Sequence, residues 1–266
     1  MTTLLPGGPA IDTLYAAMQV LSVGSARTLG VTMLFTAFTW GQIGSGVLRG
    51  VFALCLALPV VAPLWSAPLT AIHEFDAPFV IVLLKELAIG ATIGFVGALP
   101  LEAFGAAGGA VDSYVGASSV HSPTGETTPL GQMFTIIGLW LFASLGGFWR
   151  ISDAIYASYA VWPLDSVAPM LNGGAPAMML ELVTRMVVLA ATLAGPLLLL
   201  LLLVDLSVLI SAKLGKRINV VFLAPALKAL ALILTLPLFG YVFVRVATGE
   251  LARVLDPRLV VQLLSQ

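Results

Sequence analysis

Hydrophobic positions in this chain occur in long runs and not at alternating sites. Runs of about helix length cover residues 10–39, 46–65, 77–104, 130–149, 151–164, 180–212 and 219–249. A helix needs about 20 apolar residues to cross a bilayer. A membrane barrel would show strands of about ten residues with alternating polarity, and runs such as GPLLLLLLLVDLSVLI have no such period. The pattern therefore predicts an all-α, multi-helix protein of the membrane class.

Glycine and proline interrupt several of these runs. The first run is expected to form two short helices that meet around Gly24–Arg27. An interior proline removes a backbone hydrogen bond, so kinked or broken helices are expected at the prolines of the later runs. These are Pro59, Pro63, Pro68, Pro196, Pro225 and Pro237. Backbone groups freed at membrane depth need protein partners, which predicts helices that pack against other helices.

Two stretches have the composition of long connectors. Residues 113–129, SYVGASSVHSPTGETTP, combine glycine, proline and small hydroxyl residues, and residues 165–177 are similar. Lys213, Lys216 and Arg217 form a tight basic cluster in a short hinge, 213–218, between the two most hydrophobic runs. Short cytoplasmic loops carry excess lysine and arginine, so this hinge is placed on the cytoplasmic side.

Composition agrees with the membrane class. Of 266 residues, 59% are hydrophobic and 9% are charged, and the net charge is −1. This balance offers no basic field for nucleic acid. The single cysteine, Cys55, lies in an apolar run and is expected to be a small buried hydrophobe. With two histidines and no metal-ligand or nucleophile motif, the sequence predicts neither an enzyme, a metal site nor a cofactor.

Lys85 and Glu86 are adjacent charges inside an apolar run. Neighbours on a helix point about 100° apart, so these two are not expected to pair with each other, and each needs a partner elsewhere. A charge at the bilayer centre costs about 2.5–3.5 kcal/mol on insertion scales. A structural ion pair between helices is the favoured interpretation, and an ion or proton relay is the alternative.

Small residues follow Glu86 at helical spacing. Glu86, Gly90, Gly94, Ala98 and Glu102 recur every four residues and trace one ridge on a helix. Small residues on such a ridge let two membrane helices approach closely. The ridge predicts a tight helix–helix contact.

Three further charges are expected to have structural roles. Asp112 lies immediately before the long connector, where it would act as a cap or anchor a movable loop. Asp205 and Lys228 flank the basic hinge, so they would meet if the last two runs fold back as a hairpin.

The ordered series of these features resembles the SctT/FliR family of export-apparatus proteins from type III secretion systems and flagella. SPTGETTPLGQM and RINVVFLAPALKAL favour the injectisome branch. The residues that carry the resemblance are Arg27, Pro59, Pro63, Lys85, Glu86, Gly90, Gly94, Gly109, Asp112, Gly116, Leu141, Phe142, Gly146, Gly147, Ser158, Tyr159, Pro163, Asp205, Asn219, Val220, Pro225 and Lys228.

The resemblance implies one export-gate domain over residues 1–266 in the bacterial inner membrane, in contact with membrane lipid and partly raised toward the periplasm. It implies a hetero-oligomeric helical ring with SctR-like and SctS-like subunits, contact with an SctU-like switch protein, and passage of secreted polypeptides. Polar contacts in the assembly or between helices would include Lys85, Glu86, Gly90, Gly94, Asp112, Asp205, Asn219 and Lys228. Residues 113–129 resemble the family's pore-plugging loop, with Gly116, Ser118, Ser119, His121, Pro123 and Gly125 as its members.

Two functions remain open from the sequence. The first is a structural and gating subunit of an export channel for unfolded proteins. The second is a secondary transporter in which Lys85, Glu86 and Asp112 bind an ion or substrate, although no related halves are evident.

Overall fold

The computed structural model describes residues 9–36, 46–66, 77–116, 120–122, 125–164, 175–214 and 220–254. The helices in this part of the chain are α1 (Pro9–Leu34), α2 (Gly46–Ser66), α3 (Ala77–Val115), α4 (Pro129–Ser144), α5 (Gly147–Val161), α6 (Ala175–Leu214) and α7 (Val220–Val254). Two three-residue strands, β1 (Val120–Ser122) and β2 (Gly125–Thr127), form a hairpin between α3 and α4. The predicted all-α class is confirmed, with this hairpin as a small addition.

Four helices contain segments long and apolar enough to cross a membrane. The segments are Gly46–Leu64, Phe79–Val115, Met179–Lys213 and Ala224–Gly249. A fifth span results if α4 and α5, separated only by Leu145 and Gly146, are counted as one broken span. Length and composition thus support the predicted membrane class for the described residues.

The expected break in the first run is wrong. Helix α1 continues through Gly24, which lies against Val61 of α2. A side chain at position 24 would collide with Val61, so this glycine serves interhelical packing and does not end the helix.

Prolines do not break the helices in the described residues. Each of these prolines lies inside a continuous helix: Pro59 and Pro63 in α2, Pro196 in α6, Pro225 and Pro237 in α7. A proline removes one backbone hydrogen bond from a helix, whereas a break would leave several backbone groups unpaired. In an apolar environment the continuous helix is therefore favoured. Pro68 lies outside the described residues.

The chain packs as two compact units. Unit 1 contains α1, α2, the part of α3 up to Ala98, and α5 from Trp149. Unit 2 contains the rest of α3, the hairpin, α4, α6 from Pro176, and α7. That residues 1–266 act as one export-gate domain stays a prediction.

The core of unit 1 forms where α1 meets its neighbours. Val20 packs with Ala57 and Val61 of α2. Val23 packs with Phe79 and Val82 of α3.

Cys55, predicted to be buried, is exposed on α2. The run around it is apolar on all faces of the helix, and the buried positions Ala53, Ala57 and Val61 lie on another face. An apolar neighbourhood in the sequence of a membrane helix therefore does not imply burial in the protein.

The core of unit 2 contains an aromatic cluster that joins three helices. Phe243 of α7 lies with its ring centroid 4.7 Å from that of Phe134 in α4 and 5.6 Å from that of Phe104 in α3. Gly138 of α4 leaves room for the Phe104 ring, which a side chain at this position would strike. Aromatic pairs at these distances stabilise a core beyond simple area burial.

Candidate functional site

Helices α1 and α3 touch through their backbones. A Cβ atom on Gly90 would collide with the carbonyl of Arg27, and one on Gly94 would collide with the carbonyl of Val31. From the other side, Gly30 leaves the same room for the carbonyl of Leu87. The predicted contact ridge is confirmed at Gly90 and Gly94, and Gly30 supplies its counterpart on α1.

This close approach places Arg27 beside Glu86. Arg27 Nε donates to Glu86 Oε2 at 2.7 Å, and Arg27 Nη2 donates to Oε1 at 3.1 Å. Both side chains are fully buried. A bidentate arginine–carboxylate pair has two parallel charge-assisted hydrogen bonds and a defined orientation. Glu86 thus forms an ion pair between two helices, which is the arrangement that the favoured interpretation expects.

Arg27 also binds α5 and the residues that follow it. Its Nη1 donates to Ser158 Oγ at 2.7 Å, and its Nη2 donates to the Trp162 carbonyl at 2.9 Å. The guanidinium carbon lies 3.7 Å from the ring centroid of Tyr159, which is a cation–π geometry. One arginine thereby connects α1, α3 and the C-terminal end of α5.

Lys85 completes the cluster. Its Nζ lies 3.0 Å from Glu86 Oε1 and donates to the Pro163 carbonyl at 3.1 Å. The expectation that these adjacent charges do not pair is therefore wrong. The lysine stem is long and flexible enough to bring its ammonium to the neighbouring carboxylate.

These residues, Arg27, Lys85, Glu86 and Ser158, form what we call the buried charge cluster. Two cations share one carboxylate, and each charged group has hydrogen-bond partners within unit 1. Among the residues that the structure describes, no three His, Cys, Asp or Glu side chains come together as a metal site would require. The arrangement stabilises one specific packing of α1, α3 and α5.

Sequence reasoning did not find the residues that surround the Arg27–Glu86 pair. Ser158 and Tyr159 entered only through the resemblance, and Trp162 had no assigned role. Arg27 carried a recognisable signal, because Asp12 and Arg27 are the only charged residues within 10–39. An arginine in an apolar helix requires an anion or carbonyl groups nearby.

In unit 2, Asp112 caps the helix that follows the hairpin. Its Oδ2 accepts hydrogen bonds from the backbone N–H groups of Leu130 at 2.7 Å and Gly131 at 3.3 Å. Thr128 is the N-cap of α4, and its hydroxyl also accepts from Gly131 N–H at 3.3 Å. Asp112 is buried on α3, so a capping role is confirmed, but for α4 and across 18 residues of sequence.

The connector between α3 and α4 is shorter than predicted. Residues 113–115 continue α3, and Gly116 follows it with a φ of 83°, a conformation that favours glycine. The hairpin that follows is antiparallel, and its register pairs Val120 with Thr127, His121 with Glu126 and Ser122 with Gly125. Ser118, Ser119 and Pro123 lie outside the described residues.

Asp205 and Lys228 meet between α6 and α7, as predicted. Lys228 Nζ lies 2.9 Å from Asp205 Oδ2 and donates to the Tyr114 carbonyl at 3.3 Å. This pair connects α6 and α7 to the end of α3 within unit 2.

Of the three basic residues in the predicted hinge, only Lys213 is described. Lys213 is exposed in the last turn of α6. Lys216, Arg217 and Asn219 lie outside the described residues, so the hinge at 213–218 and the assembly role of Asn219 stay predictions.

Removing the remote cap is expected to loosen the start of α4. Asp112→Ala leaves the Leu130 and Gly131 N–H groups without their carboxylate, and loss of a cap costs about 1 kcal/mol. Hydrogen–deuterium exchange in residues 128–140 should accelerate about five-fold, the factor to which this free energy corresponds. Asp112→Asn, which keeps an acceptor oxygen, should show a smaller effect, and Glu102→Gln on the exposed face of α3 should show none. Equal exchange in Asp112→Ala and wild type would contradict the capping role.

Comparison with known proteins places this architecture in a family. The sequence matches the family described as "Bacterial export proteins, family 1" over residues 18–254. It is 27% identical over 219 residues to "Yop proteins translocation protein T" of Yersinia pestis, covering 81% of this chain and 83% of that protein. The protein of the same description from Yersinia pseudotuberculosis serotype I gives the same values.

A further relative is "Secretion system apparatus protein SsaT" of Salmonella typhimurium, which is 26% identical over 147 residues, or 54% of this chain and 57% of that protein. These matches confirm the resemblance to the SctT/FliR family on the injectisome branch, and with the apolar helices they identify a multi-pass component of a type III secretion export apparatus. The family match extends over most of the chain, from α1 to the end of α7, so the chain belongs to family 1 of the bacterial export proteins.

Proposed function

We propose that this protein is a structural and gating subunit of the export gate through which unfolded polypeptides leave the cytoplasm. In this proposal it packs with SctR-like and SctS-like subunits in a helical ring in the inner membrane and contacts an SctU-like switch protein. Part of the assembly is raised toward the periplasm, and the hinge at 213–218 faces the cytoplasm. The protein carries out no chemistry of its own.

The observation that carries this proposal is the buried charge cluster. Glu86 is bound by the side chains of Arg27 and Lys85, and Arg27 is bound in turn by Ser158 and the Trp162 carbonyl. A transported ion or proton would have to displace these contacts. A subunit that must keep one helix packing while polypeptides pass is stabilised by them. Polar groups of this kind hold helices together where lipid gives no hydrophobic drive for association.

The hairpin segment between α3 and α4 supports the gating part of the proposal. Asp112 on the last turns of α3 binds the first N–H groups of α4, so the two ends of the segment are held together by that contact. The segment between them contains two three-residue strands, β1 and β2. A short element on a fixed base suits a plug, because it can move while the helices that carry it stay in place.

Deleting the hairpin tests the gating role. The variant removes residues 120–127 and joins the ends with Gly-Ser, which leaves Asp112 and Thr128 intact. Its purified export complex should conduct ions roughly ten-fold better or more, because the plug no longer blocks the path. The complex itself should be recovered in unchanged yield, since both anchors remain. Conductance is measured in planar bilayers.

Replacing residues 120–127 by eight alternating glycines and serines is the matched control for this deletion. It keeps the length of the segment and should give a leak smaller than that of the deletion. A deletion complex that assembles normally and stays impermeable would rule out a plug formed by the hairpin. Loss of the complex in the deletion alone would show instead that the hairpin is needed for assembly.

A further inference from the structure

Helices α6 and α7 of unit 2 leave a long apolar groove between them. The groove has a volume of about 590 Å³. Leucine, valine and alanine side chains form most of its walls, among them Leu203, Val204 and Val208 of α6 and Leu227, Ala231 and Leu234 of α7. A binding partner for such a groove must itself be apolar.

The polar side chains in the groove do not require a polar ligand. Ser207 donates its hydroxyl hydrogen to the Leu203 carbonyl at 2.8 Å, and Ser211 donates to the Ser207 carbonyl at 2.8 Å. Both hydroxyls are thus satisfied within α6. A hydrocarbon chain can lie against them without leaving a donor unpaired.

The dimensions of the groove fit a single hydrocarbon chain. Its wall on α6 runs from Leu200 to Ala212, which is about 18 Å at 1.5 Å per residue. One leaflet of the bilayer core is about 15 Å thick. The Asp205–Lys228 ion pair, with 2.9 Å between Nζ and Oδ2, holds together the two helices that form the walls.

Positive charge lies at one end of the groove. Ser211 and Ala212 line that end, and the exposed Lys213 follows them in the last turn of α6. The sequence continues with Lys216 and Arg217. Basic residues next to a membrane segment attract anionic lipid by about 1 kcal/mol each.

We propose that the α6–α7 groove binds one anionic phospholipid, with an acyl chain along the groove and the phosphate beside Lys213. The apolar walls, the satisfied serines, the length of the groove and the charge at its end all fit this ligand. The site does not depend on the gating role proposed above, because it requires only α6 and α7.

Retention of lipid by the purified protein tests the site directly. The full chain, extracted in mild detergent with its co-purifying subunits, is incubated with phosphatidylglycerol or phosphatidylcholine and examined by native mass spectrometry. Wild type should retain one phosphatidylglycerol per copy. Ala231→Phe, which fills the groove, should lower the retained fraction at least ten-fold, whereas Ala226→Phe on the exposed side of α7 should not. Lys213→Gln should reduce the preference for phosphatidylglycerol several-fold.

A second measurement does not rely on a bulky substitution. In a Cys55→Ser background, Ser207→Cys places a thiol in the groove, and Leu238→Cys places one on α7 at a highly exposed position outside it. Added phosphatidylglycerol should slow maleimide labelling at position 207 several-fold and leave position 238 unchanged.

Three results would overturn the proposal. The first is unchanged lipid retention in Ala231→Phe. The second is equal protection of the two thiols by phosphatidylglycerol. The third is efficient cross-linking of the thiol at position 207 to a helix of another subunit in native membranes, which would show that protein fills the groove.

Discussion

Glu86→Gln is expected to lower the free energy of unfolding by about 3–5 kcal/mol, because it leaves two buried cations without their carboxylate. Arg27 and Lys85 both contact this carboxylate, and all three side chains are buried. The thermal midpoint of the detergent-extracted protein should fall by about 10 °C, since each kcal/mol corresponds to about 2–4 °C in a chain of this size. Recovery of the export complex from native membranes should fall with it.

The chain offers a matched control in an exposed ion pair. Glu181 binds Arg185 one turn along α6 at 2.6 Å, with both side chains more than half exposed. Glu181→Gln makes the same chemical change in an exposed pair and should cost less than about 0.5 kcal/mol. The contrast between the two variants isolates the effect of burial.

Arg27→Met should destabilise the protein less than Glu86→Gln does. It leaves Lys85 and Glu86 as a neutral pair, although it also removes the bonds to Ser158 and the Trp162 carbonyl. Combining Arg27→Met with Glu86→Gln should cost at least about 1 kcal/mol less than the sum of the single changes, because the residues are in direct contact. A strictly additive pair would contradict the ion pair as the source of the effect.

Glu86→Gln also distinguishes the export-gate function from the transporter alternative. A structural role predicts that Glu86→Gln loses complex and stability together, at every pH. A normal yield of stable complex from Glu86→Gln, combined with loss of a pH-dependent transport activity, would support the relay role and contradict the proposed function.

Gly90→Ala is expected to destabilise the contact between α1 and α3 by roughly 1–3 kcal/mol. The new methyl group would meet the backbone of Arg27, which cannot rotate away as a side chain can. The helices must separate, and the Arg27–Glu86 bonds one turn away lengthen. Thermal unfolding in detergent should show a midpoint several degrees lower.

Gly240→Ala is the control for this prediction. Gly240 lies within α7 and has open space where its Cβ would be. Alanine has a better helix propensity than glycine by up to about 1 kcal/mol, so this variant should be neutral or slightly more stable. A loss of stability of similar size in both variants would show that the close approach at Gly90 is not responsible.

Several features of the fold could be predicted from local pattern. Helix-length apolar runs predict membrane helices, and a four-residue repeat of small residues predicts the α1–α3 contact surface at Gly90 and Gly94. Asp205 and Lys228 could be paired because a short hinge brings neighbouring helices together. Each of these inferences depends on residues close in sequence or on one simple hairpin.

Local pattern failed where the answer depends on distant parts of the chain. Continuity of α1 through Gly24 depends on Val61 of α2, and the exposure of Cys55 depends on which face of α2 is covered. The hairpin lies in a connector whose composition predicts a loop. The pairing of Lys85 with Glu86 depends on the conformation of the flexible lysine side chain.

The amino-acid sequence by itself determined that this protein is helical, belongs to the membrane class and carries small and charged residues where its helices meet, because hydrophobic period and helix spacing are local properties. Only the tertiary structure decided which residues Arg27 binds. Arg27 reaches Glu86 across 59 residues and Ser158 across 131 residues. Which charges meet is settled by the faces on which whole helices pack, and no pattern within one helix contains that information.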